Sequence, residues 1–368
     1  MMEYVNLGDV ATYINGYAFK PEHRGKKGLP IIRIQDLNGN SHDLAFFDGK
    51  YPEQVEINTG DILISWSGSL GVYKWNKGKA LLNQHIFKVL FNKIEIDKEY
   101  FCYAIRNSLS SMSQQTHGAT MKHITKKDFD NISIPYPDLI EQKKIANNLN
   151  IVNKLIMFYE KELILFEQMV KARFIEMFGD PLLNPNGHLK EKIEKHINLL
   201  SGYPFKSEQY VEKGINICGG LIIMPQKIKW DECVHWSSVE GFEDYLLNEN
   251  DIVMALDRPW ISGGFKIAKV DAEHLPALLI QRTARIRSID INQDYLYYCF
   301  ITGGFDKHSN VTGSLVPHIS AKDIRSFEIM IPPVELQNQF ADFIQQVDKS
   351  RFDIKKSITE LEREVVYD

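Results

Sequence analysis

Short clusters of cations are the residues of this chain whose chemistry is easiest to name. Lys20, Arg24, Lys26 and Lys27 form one; Lys74, Lys77 and Lys79 a second; Lys122, His123, Lys126 and Lys127 a third; Arg282, Arg285 and Arg287 a fourth. Local positive charge is enough to attract phosphate, although a solvated charged surface is the plainer reading of each cluster taken singly. The whole chain works against polyanion binding. Its formal charge is −5, with 43 Lys+Arg against 48 Asp+Glu; residues 1–138 carry net +1 and residues 185–333 net −3. Such a chain is expected to hold nucleic acid weakly alone and better beside a basic partner.

Catalytic constellations are missing from the sequence. Gly71 to Gly78-Lys79-Ala80 has the wrong spacing for a phosphate-binding loop and lacks its hydroxyl, and no HExxH, GxSxG or GxGxxG occurs. Adenine-methylating enzymes use Asn/Asp-Pro-Pro-aromatic, which Asn184-Pro185-Asn186 and Ile331-Pro332-Pro333-Val334 both fail. Cys102, Cys218, Cys233 and Cys299 have no metal-ligand spacing and fit a reducing cytoplasm. The start of the sequence lacks the order of a secretion signal, and no apolar run reaches membrane-spanning length. Of 11 histidines, His123 and His318 stand at matching places before a strand, where a loop or capping role is the expectation.

That match belongs to a duplication. Gly118-Ala119-Thr120-Met121-Lys122-His123-Ile124-Thr125-Lys126-Lys127-Asp128 aligns, 195 residues on, with Gly313-Ser314-Leu315-Val316-Pro317-His318-Ile319-Ser320-Ala321-Lys322-Asp323. The register holds through Pro137/Pro332, Gln142/Gln337 and Ala146/Ala341. A helix follows each copy. Ile145, Leu149, Val152, Ile156, Tyr159, Leu163, Phe166 and Val170 keep a strict 4,3 spacing; Phe340, Ile344, Val347, Arg351, Ile354, Ile358, Leu361 and Val365 repeat it. Such a/d stripes predict two helices that pack on each other as a coiled coil; at about 40 residues each would be about 60 Å long. Arg351, the exception, can snorkel, pair with a carboxylate or meet a partner. Before each helix, runs such as Asp61–Ser65, Ile86–Phe91, Asp251–Ala255 and Thr283–Ile286 read as strands, with one amphipathic helix per copy around 100–111 and 295–303. Gly16-Tyr17-Ala18-Phe19-Lys20 and Gly202-Tyr203-Pro204-Phe205-Lys206 also match, 186 apart, so the loops differ in length. The predicted fold is α+β: two mixed β-rich domains joined by two long antiparallel helices in an intramolecular coiled coil, with a pseudo-twofold duplication. The expected boundaries are 1–138, helix 139–180, 181–333 and helix 334–368.

One ordered set of segments carries a resemblance. A variable β-rich stretch precedes Gly118…Asp128, then Ile134-Pro135-Tyr136-Pro137, Glu141-Gln142-Lys143-Lys144-Ile145-Ala146, a long helix and Phe174-Ile175-Glu176-Met177-Phe178-Gly179-Asp180-Pro181, and the unit then repeats. This resembles the specificity subunit of type I restriction–modification systems over nearly the whole chain. The second copy departs in Leu336-Gln337 and Pro317, and it lacks a Phe-Gly-Asp-Pro ending.

The resemblance implies a non-catalytic reader of double-stranded DNA in the cytoplasm. Each variable domain would be a target recognition domain for one half of a split, asymmetric sequence. The helices would set the separation and dock two methyltransferase subunits, with restriction subunits joining them. No cofactor is expected in this chain; S-adenosylmethionine, ATP and Mg would act in the partner subunits. Base edges are read by loop side chains and phosphates position them. The expected contacts are Trp66, Ser67, Ser69, Lys74, Gln84, His85, Lys122 and His123, then Arg258, Trp260, Ser262, Gln281, Arg282 and His318. Trp66 and Trp260 read equally well as core or loop-stacking residues instead of contacts. Pro137, Gln142, Ile145, Leu149, Val152, Ile156 and Leu163 are expected at the seam or at a subunit contact. So are Pro332, Gln337, Phe340, Ile344, Val347, Ile358 and Leu361. The rival reading is a structural adaptor with two peptide-binding modules on a coiled coil.

Overall fold

Runs rich in β-branched and aromatic residues become strands in the computed structural model, which describes residues 3–39, 43–115, 125–302, 304–308 and 318–367. Thr12–Asn15, Ile86–Leu90, Ile62–Ser65 and Gly71–Lys74 form one antiparallel sheet in that order. Ile197–Ser201, Thr283–Ser288, Ile252–Ala255 and Ile267–Lys269 repeat it strand for strand. A second sheet in each copy contains one parallel pair: Leu29–Ile32 with Ala80–Leu82, and Ile215–Cys218 with Ala277–Leu279. The copies diverge at the edge of this sheet. Glu56–Ile57 pairs with Ala80–Leu82, whereas in the later copy Leu246 makes a single bridge to Leu278. The first and last strands of each copy also pair, Tyr4–Asn6 with Ser133–Pro135 and Leu189–Lys192 with Glu328–Ile331.

Helices Lys98–Gln115 and Gln293–Thr302 occupy the predicted stretches, but the second is buried on every side from Tyr295 to Phe300 rather than amphipathic, and residue 303 lies outside the described residues. The end of the duplicated string is a helix cap in each copy. Thr125 and Ser320 accept the N–H groups of Asp128 and Asp323, each at 3.2 Å, opening Lys126–Asp130 and Ala321–Arg325.

The described chain forms two compact units, residues 1–158 with 358–368, and residues 159–357. The first long helix, Leu139–Phe178, and the second, Val334–Tyr367, therefore each contribute to both units. Asp138 caps the first, accepting from the N–H groups of Ile140 and Glu141 at 3.0 Å each. Within the second unit the two helices run antiparallel: Phe174 meets Phe340 at 5.5 Å between centroids, and further back Glu167 meets Arg351 at 3.8 Å. Arg351 thus joins the seam through carboxylates, with Asp348 at 3.2 Å as its second partner.

The stripe lies inward. Ile145, Leu149, Val152, Ile156 and Leu163 are half-buried, as are Ile358 and Leu361, while Phe340, Ile344 and Val347 are fully buried. Four positions depart from a pure helix–helix seam. Ile145 packs into the core of the first domain, and Phe340, Ile344 and Val347 join Phe174, Phe178 and Tyr295 in the core of the second unit. The helix ends are thus part of the domains they serve.

Gln142 and Gln337 are the clearest correction to the expected seam and subunit contacts. They are 1% and 2% exposed and face their own domains. The Gln142 amide donates to the Pro137 carbonyl and accepts from the Asp97 N–H; Gln337 does the same with Pro332 and Asn292, all four bonds at 2.8–2.9 Å. Pro137 and Pro332 serve as acceptors, so these four residues staple each helix to the loop before its amphipathic helix.

Replacing Gln337 by Leu strands the Asn292 N–H and the Pro332 carbonyl in a buried site. Denaturant titration should show a loss of about 1–3 kcal/mol; unchanged stability would contradict the staple. Ile344→Asp puts an unpaired carboxylate among Phe174, Phe340 and Val347 and should cost about 3 kcal/mol or more. A melting temperature equal to that of the parent would refute the buried packing of the second helix.

Candidate nucleic-acid interface

The matching Gly-Tyr strings hold one turn in each copy. A β-carbon on Gly16 would lie 2.0 Å from the Asn83 carbonyl oxygen, and one on Gly202 would lie 2.0 Å from that of Ile280. Only glycine permits so close an approach. The next residue then grips the passing chain at two points. Tyr17 donates to Leu82 O and accepts from Gln84 N–H, at 2.8 and 3.0 Å; Tyr203 donates to Leu279 O and accepts from Gln281 N–H, at 3.0 and 2.8 Å. The pinch forces the following residue into the left-handed region: His85 has φ 72° and Arg282 φ 64°. Non-glycine residues rarely sit there, and clusters of them favour functional loops. Each pinch therefore presents an exposed glutamine and a neighbour with a different ring or cation.

The first unit brings Trp66 to the Gln84-His85 turn, with Ser67 and Ser69 following it on the same loop. The Trp66 N–H donates to the His85 carbonyl at 3.2 Å, and the two rings meet edge-on at 5.0 Å. Trp66 also stacks on Phe87 at 5.5 Å and donates its indole N–H to Asn15. It is therefore both a cover for the core and a wall of the turn. Ser69 lies exposed on the loop, where its carbonyl accepts from the Ser65 hydroxyl. Lys74 does not join this set. The sheet register places Ser65 opposite Gly71 and Ile62 opposite Lys74, so Lys74 lies at the other end of its strand, ion-paired with Glu99. Lys122 and His123 lie outside the described residues.

The second unit assembles Arg258, Gln281, Arg282 and His318, together with Asp257, which the sequence reading passed over. The Asp257 carboxylate faces His318 Nδ1 at 2.7 Å and Arg282 Nη1 at 3.2 Å. The Leu256 N–H donates to the Arg282 carbonyl at 2.9 Å, joining the two loops as Trp66 and His85 are joined in the first copy. Arg258 is exposed, with φ 45°. Trp260 stacks on Phe265 at 4.9 Å across a hairpin whose exposed turn carries Ser262, a short distance along the chain from the other polar groups.

Beside the turn a cavity of about 530 Å3 opens, walled by Gly219, Gly220 and Ile222, with Asp257, Arg258 and Arg282 lining it. Lys266, buried among them, donates to the Gly220 carbonyl; burial and the nearby Arg258 hold its pKa below the usual lysine value. In the first copy the strand Leu29–Ile32 runs instead into Arg33, whose guanidinium is tied to Asp36 at 2.9 Å.

Most clustered cations are matched locally. Lys79 pairs with Glu56 at 2.9 Å, Lys126 with Asp130 at 3.4 Å, and Lys20 with Glu22 at 3.9 Å. Arg285 and Arg287 are turned inward, Arg285 on the Asp244 and Leu246 carbonyls and Arg287 on Asp251, so of that cluster Arg282 alone is exposed. Burial raises the thiols of Cys102 and Cys299, to about 11 and about 12, the opposite of nucleophile activation. Among the described residues no group of three or more His, Cys, Asp or Glu could hold a metal ion, and no helix is long and apolar enough to cross a membrane.

A second apolar stripe runs along the first long helix. Ile151, Leu155, Phe158, Leu165 and Met169 follow the seam spacing one residue earlier, broken only by Glu162, and all five are exposed. The equivalent line of the second long helix, Gln346, Ser350, Asp353, Ser357 and Glu360, is polar. The signal was available in the sequence as a repeat of the seam periodicity.

The family described as type I restriction modification DNA specificity domain matches residues 1–165 and again residues 202–363. The MjaVIII type I restriction enzyme specificity subunit of Methanocaldococcus jannaschii is 26% identical over 368 residues, covering 94% of this chain and 86% of that protein. The EcoAI specificity subunit of Escherichia coli is 33% identical over 171 residues, 43% of this chain and 28% of that protein. The fold matches the crystal structure of the type I S subunit of M. genitalium with TM-score 0.51 at 14% identity, over 99% of this chain and 94% of that one. It also matches, with TM-score 0.57 at 16% identity over 99% and 95%, a chain from a structure of the assembly and conformational transition of the type I restriction–modification system. With the family matched twice along one chain whose two halves share their topology, this protein belongs to the type I restriction–modification DNA specificity family.

Proposed function

We propose that this chain is the non-catalytic DNA-reading subunit of a type I restriction–modification complex in the cytoplasm. Each domain reads one half of a split, asymmetric target through its turn and the adjoining loop. The observation that carries the reading is a duplicated backbone pinch presenting different side chains: Gln84-His85 with Trp66 in one copy, Gln281-Arg282 with Asp257 in the other. Equal scaffolds with unequal turns are what a reader of two different half-sites requires, since base-edge donors and acceptors carry sequence and phosphate contacts carry register.

Methylation and cleavage belong to partner subunits, two methyltransferase subunits and the restriction subunits, which would supply S-adenosylmethionine, ATP and Mg sites. The exposed stripe of the first long helix supports such docking. Apolar side chains at heptad spacing suit a partner helix better than water. The formal charge of −5 and the locally neutralised lysines support DNA binding by the complex rather than by the chain alone.

Co-expression with a methyltransferase subunit, followed by methylome sequencing, tests the reading. Exchanging residues 1–138 for those of a relative should change one half-site and leave the other intact; alteration of both halves, or of neither, would defeat it. The double variant Phe158→Asp, Leu165→Asp should lower the number of methyltransferase subunits bound per chain in sedimentation. Two bound per variant chain would remove the stripe from the docking surface.

A further inference from the structure

We infer that Asp257 and Arg282 act as one reading unit for a G·C base pair, with Arg282 on guanine and Asp257 both bracing it and facing the cytosine. The inference rests on the DNA-reading function proposed above and goes on to name the base pair and the residue that fixes it.

The geometry favours a base edge over a phosphate. The Arg282 side chain is 74% exposed, and its ion pair with Asp257 runs through Nη1 at 3.2 Å. A guanidinium has five N–H donors in a flat fork, so one ion pair leaves donors for a ligand while fixing the plane. A carboxylate beside an arginine weakens its attraction for phosphate, because the two anions repel each other. A carboxylate beside guanidinium does match a G·C pair: the fork donates to guanine O6 and N7, and the carboxylate accepts from cytosine N4. His318 completes the brace, its Nδ1 2.7 Å from the other Asp257 oxygen, so both oxygens are held in place.

The backbone points the same way. Arg282 is delivered by the Gly202–Tyr203 pinch and Asp257 by the end of strand Ile252–Ala255, two elements tied by the Leu256–Arg282 backbone bond. The pair therefore stands on strand ends rather than on a free loop, as a precise contact needs. The first copy carries Ser67 on the equivalent loop and His85 at the turn, and so lacks the carboxylate–guanidinium pair. Its half-site should be read through Gln84 and its neighbours by a different pattern.

The test uses the chain with its methyltransferase subunits. The half-site of the second domain is first identified as the one that changes when residues 181–333 are exchanged. That half-site should contain a G·C pair whose recognition falls about tenfold or more in Arg282→Ala, the lower part of the range for losing a bidentate base contact. Asp257→Asn, which keeps shape and removes charge, should relax the same position, and Asp257→Glu should restore part of it; the other half-site should stay unchanged. The slope of binding against salt should be that of the parent in Arg282→Ala. Uniform weakening on all sequences with a salt slope smaller by about 1 identifies a phosphate contact and overturns the inference. So does full discrimination in Asp257→Asn with parental melting temperature. If exchange of residues 181–333 changes neither half-site, the DNA-reading function itself fails; if the exchange works but the point variants are inert, only the pairing inference fails.

Discussion

A backbone approach with no room for a β-carbon sets the geometry of both turns. Gly16 and Gly202 lie against the carbonyls of Asn83 and Ile280, and the following tyrosine holds the passing chain by two backbone bonds. That pinch leaves His85 and Arg282 in the left-handed region and places Gln84 and Gln281 in the open. Because the constraint acts on the main chain, side chains at the turn can vary without disturbing it. Scaffold and presented side chains are thereby separated, and duplication of the scaffold can proceed with divergence of what it presents.

The same division governs electrostatics. Affinity for a duplex scales with phosphates neutralised, yet Lys74, Lys79, Lys126, Arg285 and Arg287 are engaged by carboxylates or carbonyls within their own domains. Part of the positive charge is thus engaged within each domain, while Arg24, Lys26, Lys27, Lys77 and Lys127 of the first copy and Arg258 and Arg282 of the second stay exposed.

Much of the architecture was legible in the sequence because it rests on periodicity. The 4,3 stripe, the strand runs and the Ser/Thr-x-x-Asp caps are local patterns, and they appear as the inward helix faces, the paired sheets and the Thr125 and Ser320 caps. Gln142 and Gln337 were legible as a repeat but not as staples, because their partners Asp97 and Asn292 lie 45 residues away. Asp257 was invisible for the same reason: its partners are 25 and 61 residues distant, and an isolated aspartate at a strand end has no pattern. Lys74 looked equivalent to the turn residues until the sheet register put it at the far end of its strand. The exposed stripe of the first long helix shares the spacing of the seam one residue away, so one periodic signal covers two faces of the same helix.

The central claim is that two differing turns on one repeated scaffold contact two separate stretches of one duplex. Hydroxyl-radical footprinting of the complex with methyltransferase subunits on its target tests this directly. The account predicts two protected patches separated by base pairs that stay accessible, with Gln281→Ala, Arg282→Ala weakening one patch and leaving the other in place. A single continuous patch, or the simultaneous loss of both on altering one turn, would contradict it.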